Sequence, residues 1–141
     1  MRAGMPDVRP AVLVVNSHPQ RLARWQAAVR EAGCAPLPAP SVSRARALLR
    51  HVRPNLVLSA AHLDDGHAAD LLRELRTMAL IEDVPLAVLG ALTPQAEQEL
   101  VSAPHVYVRK RDDGDTVITL LDGLLATARG PNPYRGLLDK G

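Results

Sequence analysis

The segment PNLVLS at residues 54–59 is the part of the sequence that decides the fold. A proline precedes a short aliphatic run, and such a run is typical of a strand that is buried on both faces of a parallel sheet. We therefore predict a strand over Asn55–Ser59. Runs of similar length predict four more strands, at residues 11–15 (AVLVV), 35–39, 84–89 and 106–109.

Amphipathic stretches separate the five runs and predict helices. The first begins at Pro19, a residue tolerated in the first turn of a helix, and places Leu22, Trp25 and Val29 on one side. Further helices are predicted from the capping residue Ser41 up to Pro54, around residues 71–78, at residues 93–103, and from Asp113 or Asp115 onward. Strands that alternate with helices predict a parallel sheet with helices on both faces.

The second run, Ala35–Ala39, contains Pro36 and Pro38. Proline cannot donate a ladder hydrogen bond, so this strand belongs at an edge of the sheet. We predict an α/β fold of the flavodoxin-like type, a doubly wound five-stranded parallel sheet in the order 2-1-3-4-5. The domain is expected to span residues 10–129, between an N-terminal tail (1–9) and a C-terminal tail (130–141).

Composition is that of one soluble domain, with a net charge of +2 and an aliphatic core, since the chain has no Phe. Cys34 is the one cysteine, so an internal disulfide is impossible and a reducing, cytoplasmic setting is expected. No apolar run approaches the length of a signal peptide core or a membrane span, so we expect neither.

The order and spacing of these segments resemble the receiver domains of two-component response regulators over roughly residues 10–129. In that family the third strand leads to a phosphoacceptor aspartate, a position that falls here on Ala60. Asn16 and Ser17 occupy the positions of the family's acidic pair after the first strand. Gly90 occupies the position of the family's hydroxyl residue after the fourth strand. Of the family's functional residues, only the lysine after the fifth strand is matched here, by Lys110.

The resemblance implies a degenerate receiver that cannot take up phosphate. Family receivers hold Mg²⁺ with clustered carboxylates, and the metal neutralises the phosphoryl oxygens while the acceptor carboxylate attacks. The corresponding pocket here is vestigial and consists of Asn16, Ser17, Ala60, Gly90 and Lys110. We therefore expect no phosphoacceptor, no metal, no cofactor and no enzymatic activity.

Neighbouring residues do not restore the site. Ser59 lies one position early, so strand alternation turns it away. Asp64 and Asp65 lie four and five residues beyond the acceptor position. His18 and His62 are placed near the mouth of the pocket, but two ligands make a poor metal site, and exposed loop histidines are the simpler interpretation.

Two further residues of the family pattern receive a plain structural interpretation. Lys110 is expected to reach water or to pair with Asp64 or Asp65. Tyr107 corresponds to the aromatic residue that turns inward on phosphorylation in the family. Because Gly90 removes the hydroxyl partner of that movement, a packed or surface-contact tyrosine is expected.

The favoured function is a stand-alone signalling or scaffold module that acts by protein–protein interaction without phosphorylation. Receivers commonly associate through the fourth helix, fifth strand and fifth helix, so the partner is expected to be another protein or a second copy at that face. Tyr107, Ile118 and Leu125 are the predicted interface residues. The alternative is that Ile118 or Leu125 only widens the contact with the core.

Two other classes of function stay open. The first is a small-ligand or anion sensor that uses Asn16, Ser17, His18, His62 and Lys110 at the carboxyl ends of the strands. The second is a nucleic-acid-associated regulator that uses the arginines of the first two helices. It is less favoured, because those arginines are scattered and lack interleaved aromatic residues. Membrane association is not expected.

Overall fold

A computed structural model describes residues 9–78 and 83–128 of the chain. Five parallel strands form the central sheet: β1 (Ala11–Val15), β2 (Ala35–Ala39), β3 (Leu56–Ala60), β6 (Leu86–Leu89) and β7 (Val106–Arg109). Two-residue strands β4 (His62–Leu63) and β5 (Gly66–His67) form a small antiparallel hairpin after β3. The helices are α1 (Pro19–Glu31), α2 (Val42–Leu49), α3 (Ala68–Thr77), α4 (Pro94–Val101) and α5 (Gly114–Ala128).

The predicted topology is confirmed. The sheet order is β2-β1-β3-β6-β7, which is 2-1-3-4-5 when its five strands are counted along the chain. Some predicted boundaries are wrong by a few residues. The third strand starts at Leu56, the fourth at Leu86 instead of Val84, and α2 ends at Leu49, several residues before Pro54.

Helices cover both faces of the sheet, because successive strand residues point to opposite sides. Leu13 and Val15 face a core shared with α2, α3 and α4. Val12 and Val14 face a second core shared with α1 and α5. Trp25 of α1 is fully buried in that second core, and its Nε1–H donates to the carbonyl of Asp112 at 2.8 Å, fixing the loop before α5.

The edge strand β2 owes its position to its prolines. Ala35 N–H donates to Pro10 O at 2.9 Å, and Asn16 N–H donates to Ala39 O at 3.1 Å, so the odd-numbered residues of β2 face β1. Alternation then points the backbones of Pro36 and Pro38 outward. The outer edge of β2 therefore presents no N–H group at either position.

Within residues 9–78 and 83–128, no helix is both long enough and apolar enough to cross a bilayer.

Candidate functional site at the carboxyl ends of the strands

A shallow cavity of about 390 Å³ lies where β1, β3 and β6 end. Parallel strands deliver their carboxyl ends to one edge of the sheet, where folds of this type bind ligands. Four of the five vestigial-pocket residues line this cavity: Asn16, Ser17, Ala60 and Gly90. Lys110 does not line it, so the predicted grouping of five is incomplete.

The two residues that follow β1 serve the local backbone. Asn16 is only 4% exposed, and its Oδ1 accepts a hydrogen bond from His18 N–H at 2.9 Å. Ser17 Oγ donates to Pro40 O at 2.6 Å and accepts from Asp64 N–H at 2.9 Å. Both side chains hold loops in place, and neither supplies the charge that a hard cation requires.

Ala60, the residue at the predicted acceptor position, is a partly buried residue at the end of β3. Ala60 has no nucleophilic atom, and Ser59 before it is fully buried within the sheet, as alternation predicts. Ser59 Oγ is engaged with the carbonyl of Ala60 at 2.8 Å. Neither residue can attack a phosphoryl donor in the cavity.

The nearby carboxylate of Asp65 is committed to α2. Its two oxygens accept from the N–H groups of Val42 at 2.8 Å and Ser43 at 3.0 Å. These two bonds, with Ser43 contributing most, lower the pKa of Asp65 below its ordinary value. The residue therefore stabilises the first turn of α2, and it is not one of the residues that line the cavity.

Gly90, the residue at the predicted position of the hydroxyl group, has an unusual backbone conformation. Its φ is +126°, a conformation that residues with a side chain rarely adopt. An added Cβ would lie 3.4 Å from the Cβ of Ala61. Gly90 N–H donates to Arg109 O at 2.9 Å, which holds this conformation against β7. A serine or threonine at this position would be strained.

The histidines lie where the sequence predicted, since His18 and His62 both line the cavity. His62 lines the cavity and contacts His67 across the β4–β5 hairpin, with their Nδ1 atoms 3.3 Å apart. His62 Nε2 lies 3.1 Å from the carbonyl oxygen of Ala91. In the described residues, no group of three or more His, Cys, Asp or Glu side chains could hold a metal ion.

The charges at the cavity do not favour an anion. Asp64 and Asp112 line it alongside Arg21, and Arg21 is already paired with Asp112 at 3.5 Å. Lys110 is exposed, and among the described residues no carboxylate forms an ion pair with it. Of the two expectations for Lys110, the structure shows exposure to water and no pairing with Asp64 or Asp65.

The predicted interface residues lie around β7 and α5. Tyr107 is half-buried and packs against the core shared with α1 and α5. Ile118 is also partly buried against that core, which agrees with the alternative that it widens the core contact. Leu125 lies in α5, but its side chain is outside the described residues.

One exposed apolar residue near this surface was missed. Val101, at the end of α4, is 60% exposed and is the only large exposed hydrophobic residue in the part of the chain described. Its neighbour Leu100 is buried. Adjacent helical positions point about 100° apart, so Val101 lies on a different side of α4 from the buried Leu100.

Comparisons with known proteins identify the fold. The receiver domain of a signal transduction histidine kinase from Syntrophus aciditrophicus superposes with a TM-score of 0.74 and 16% identity, covering 88% of this chain and 96% of that one. Chemotaxis protein CheY4 of Vibrio cholerae gives a TM-score of 0.71 and 18% identity, covering 83% of this chain and 99% of that one.

A third similar structure contains a bound metal ion. It is the receiver domain of a sensor histidine kinase from Pseudomonas aeruginosa PAO1, with a magnesium ion coordinated in its active-site cleft. The TM-score is 0.73 at 19% identity, covering 85% of this chain and all of that one. No family model and no curated protein sequence matches the chain. The chain therefore has the receiver fold.

Proposed function

We propose that this chain is a phosphorylation-independent protein-interaction module built on the receiver fold, without enzymatic activity. The observation that carries the proposal is the end of β3. The acceptor position carries only the methyl group of Ala60. The nearby carboxylate of Asp65 cannot replace an acceptor aspartate, because both of its oxygens accept hydrogen bonds from the first turn of α2. The residues through which a receiver is phosphorylated are therefore missing, while the fold that forms its interaction surfaces is present.

The interaction surface is proposed to be the α4–β7–α5 face, defined here by Val101, Tyr107 and the groove beside Leu124. Val101 adds an exposed apolar group next to a strand that ends the sheet. Tyr107 lines the groove and has a half-buried ring. Aromatic residues at the centre of an interface often contribute about 2 kcal/mol or more to binding.

The other two classes of function receive less support. An anion sensor would use a cavity that contains Asp64 and Asp112 and lacks Lys110. A nucleic-acid interface would need one basic surface, but α1 and α2 cover opposite faces of the sheet. Their arginines are therefore divided between two layers.

The test compares the proteins recovered from native lysate by the original chain and by variants. We expect Tyr107→Ala and Val101→Glu to lose the same partners, and the exposed α1 substitution Arg24→Glu to keep them. Pre-incubation with acetyl phosphate and Mg²⁺ should not change the recovered set. Partners that appear only after that treatment, or that survive both face substitutions, would contradict the proposal.

A further inference from the structure

The two edges of the sheet differ in their free hydrogen-bonding groups. At β7, Leu86 N–H donates to His105 O and Gly90 N–H donates to Arg109 O, both at 2.9 Å. With the register that pairs Ala87 with Tyr107, the odd-numbered residues of β7 face β6. The backbones of Val106 and Val108 therefore point away from the sheet.

These outward groups are almost entirely unused. In the described part of the chain, no hydrogen bond reaches the N–H of Val106 or of Val108. Of these outward groups, the carbonyl of Val108 is the only one with a partner among the described residues, the Nη1 of the exposed Arg109 side chain at 2.9 Å. The corresponding outward positions of β2 are Pro36 and Pro38. One edge of the sheet is thus closed to an added strand and the other is open.

We propose that β7 pairs in antiparallel fashion with β7 of a second copy of this chain, joining the two sheets into one. This inference rests on the proposed interaction function and names the partner at its surface. In the symmetric register, Tyr107 lies opposite Tyr107 of the second copy. Val106 and Val108 of each copy then exchange hydrogen bonds with Val108 and Val106 of the other, which uses all the outward groups.

Charge favours the antiparallel direction. The exposed residues Arg109 and Lys110 follow one another at the carboxyl end of β7, and Arg111 after them is paired with Asp113 at 3.2 Å. Antiparallel pairing places these basic ends at opposite ends of the junction, whereas parallel pairing would bring them together. The amino-terminal end of the strands instead carries the Arg53–Asp83 ion pair, 3.3 Å apart, which is neutral as a unit.

The space beside β7 suits a second tyrosine. Cavities of about 430 and 690 Å³ adjoin there, and both are lined by Tyr107, Gly123 and Leu124. Gly123 lies inside α5, yet a Cβ added to it would meet nothing within 4 Å. The groove between α5 and β7 is therefore open where the Tyr107 ring of the second copy would enter.

The prolines of β2 also limit the association to two chains. Once the two β7 strands pair, the outer edges of the joined sheet are both β2. Neither can donate from Pro36 or Pro38, so growth stops at a closed dimer with twofold symmetry.

The experiment places a proline at an outward position of β7, as β2 has at Pro36 and Pro38. Val108→Pro removes the outward N–H and leaves the inward bonds of Tyr107 and Arg109 intact. We expect the full-length chain to sediment as a dimer, and Val108→Pro to raise the dimer dissociation constant by about tenfold or more. The matched control, Val108→Ala, keeps the N–H and should change it by less than about threefold. Circular dichroism confirms that each variant is folded.

Cross-linking tests the register separately. In a Cys34→Ser background, Tyr107→Cys should form an inter-chain disulfide on mild oxidation, because a directly opposed pair has Cα atoms roughly 4.5 Å apart. Arg109→Cys alone should not, but a mixture with His105→Cys should give the mixed disulfide. A chain that stays monomeric, or a dimer indifferent to Val108→Pro, overturns the inference.

The outcomes separate this inference from the proposed function. A monomeric chain that still recovers partners through Tyr107 and Val101 would overturn the self-pairing and leave the interaction module standing. If Val108→Pro abolishes that recovery, the open edge takes a strand from another protein instead. A phosphoryl adduct on the chain would overturn the proposed function itself.

Discussion

Asp65 Oδ1 accepts a hydrogen bond from the backbone N–H of Val42 at 2.8 Å, so the loop after β3 is tied to the start of α2. The other oxygen accepts from Ser43 N–H. The carboxylate of this loop residue thus caps the first turn of α2. This contact gives the first prediction.

Asp65→Asn should make the stability of the fold less dependent on pH. The pKa of Asp65 is lowered in the folded chain, chiefly by the Ser43 N–H and then by the Val42 N–H. The unfolded chain therefore binds more protons, and the stabilisation is present above the unfolded pKa and lost as pH falls through the folded value. Urea titrations between about pH 5 and pH 2 should show a smaller loss for the variant than for the original chain.

Asp64→Asn is the matched control for that experiment. Asp64 is adjacent and exposed, and its carboxylate accepts no hydrogen bond from the described residues. We expect its pH profile to follow that of the original chain. Identical profiles for Asp65→Asn and the original chain would show that the cap does not matter for stability.

Acetyl phosphate and Mg²⁺ should leave the mass of the chain unchanged. Ala60 has no nucleophile. Ala60→Asp should also remain unmodified, because Asn16 and Ser17 supply no anionic ligands and Gly90 supplies no hydroxyl group. Intact mass spectrometry checks both chains, and a stoichiometric adduct that hydroxylamine removes would contradict the prediction.

Magnesium should not bind saturably at the strand ends. Mg²⁺ prefers hard anionic oxygens, and Asn16 and Ser17 are neutral and already hydrogen-bonded. Amide shifts followed by NMR up to about 10 mM Mg²⁺ should stay linear at residues 16–18 and 60–62. Saturation below that concentration would place a metal site in the cavity.

The sequence predicted those parts of the fold that depend on local chemistry. The observed bounds of β2 and β7 agree with the predicted bounds, because prolines and turns lie beside both strands. The start of β6 was placed two residues early, since Val84 is buried like a strand residue and Pro85 O still accepts from Val57 N–H. Pro85 has no N–H to continue the ladder, so the strand begins at Leu86.

The contacts at the candidate site were less predictable, because they join segments distant in sequence. The β4–β5 hairpin brings His62 Nδ1 to within 3.3 Å of His67 Nδ1, a contact that the sequence did not predict. Asp64 and Asp65 form the two-residue turn, followed by Gly66, where an added Cβ would lie 2.6 Å from Asp70 Oδ2. Two aspartates before a glycine were the available signal for this turn.

Ile118→Glu and Val101→Glu should separate core from interface. Ile118 packs against the buried cluster that contains Trp25 and Val117, so a carboxylate there should lower the unfolding free energy by about 1 to 3 kcal/mol. Val101 is 60% exposed, so its substitution should change stability by no more than about 0.5 kcal/mol.

Urea unfolding measures both, and light scattering then reports association. The expected result is a destabilised Ile118→Glu chain and a stable Val101→Glu chain that associates less. If instead Ile118→Glu folds normally and loses association while Val101→Glu keeps it, the interface follows α5, and the assignment of Val101 to it is wrong.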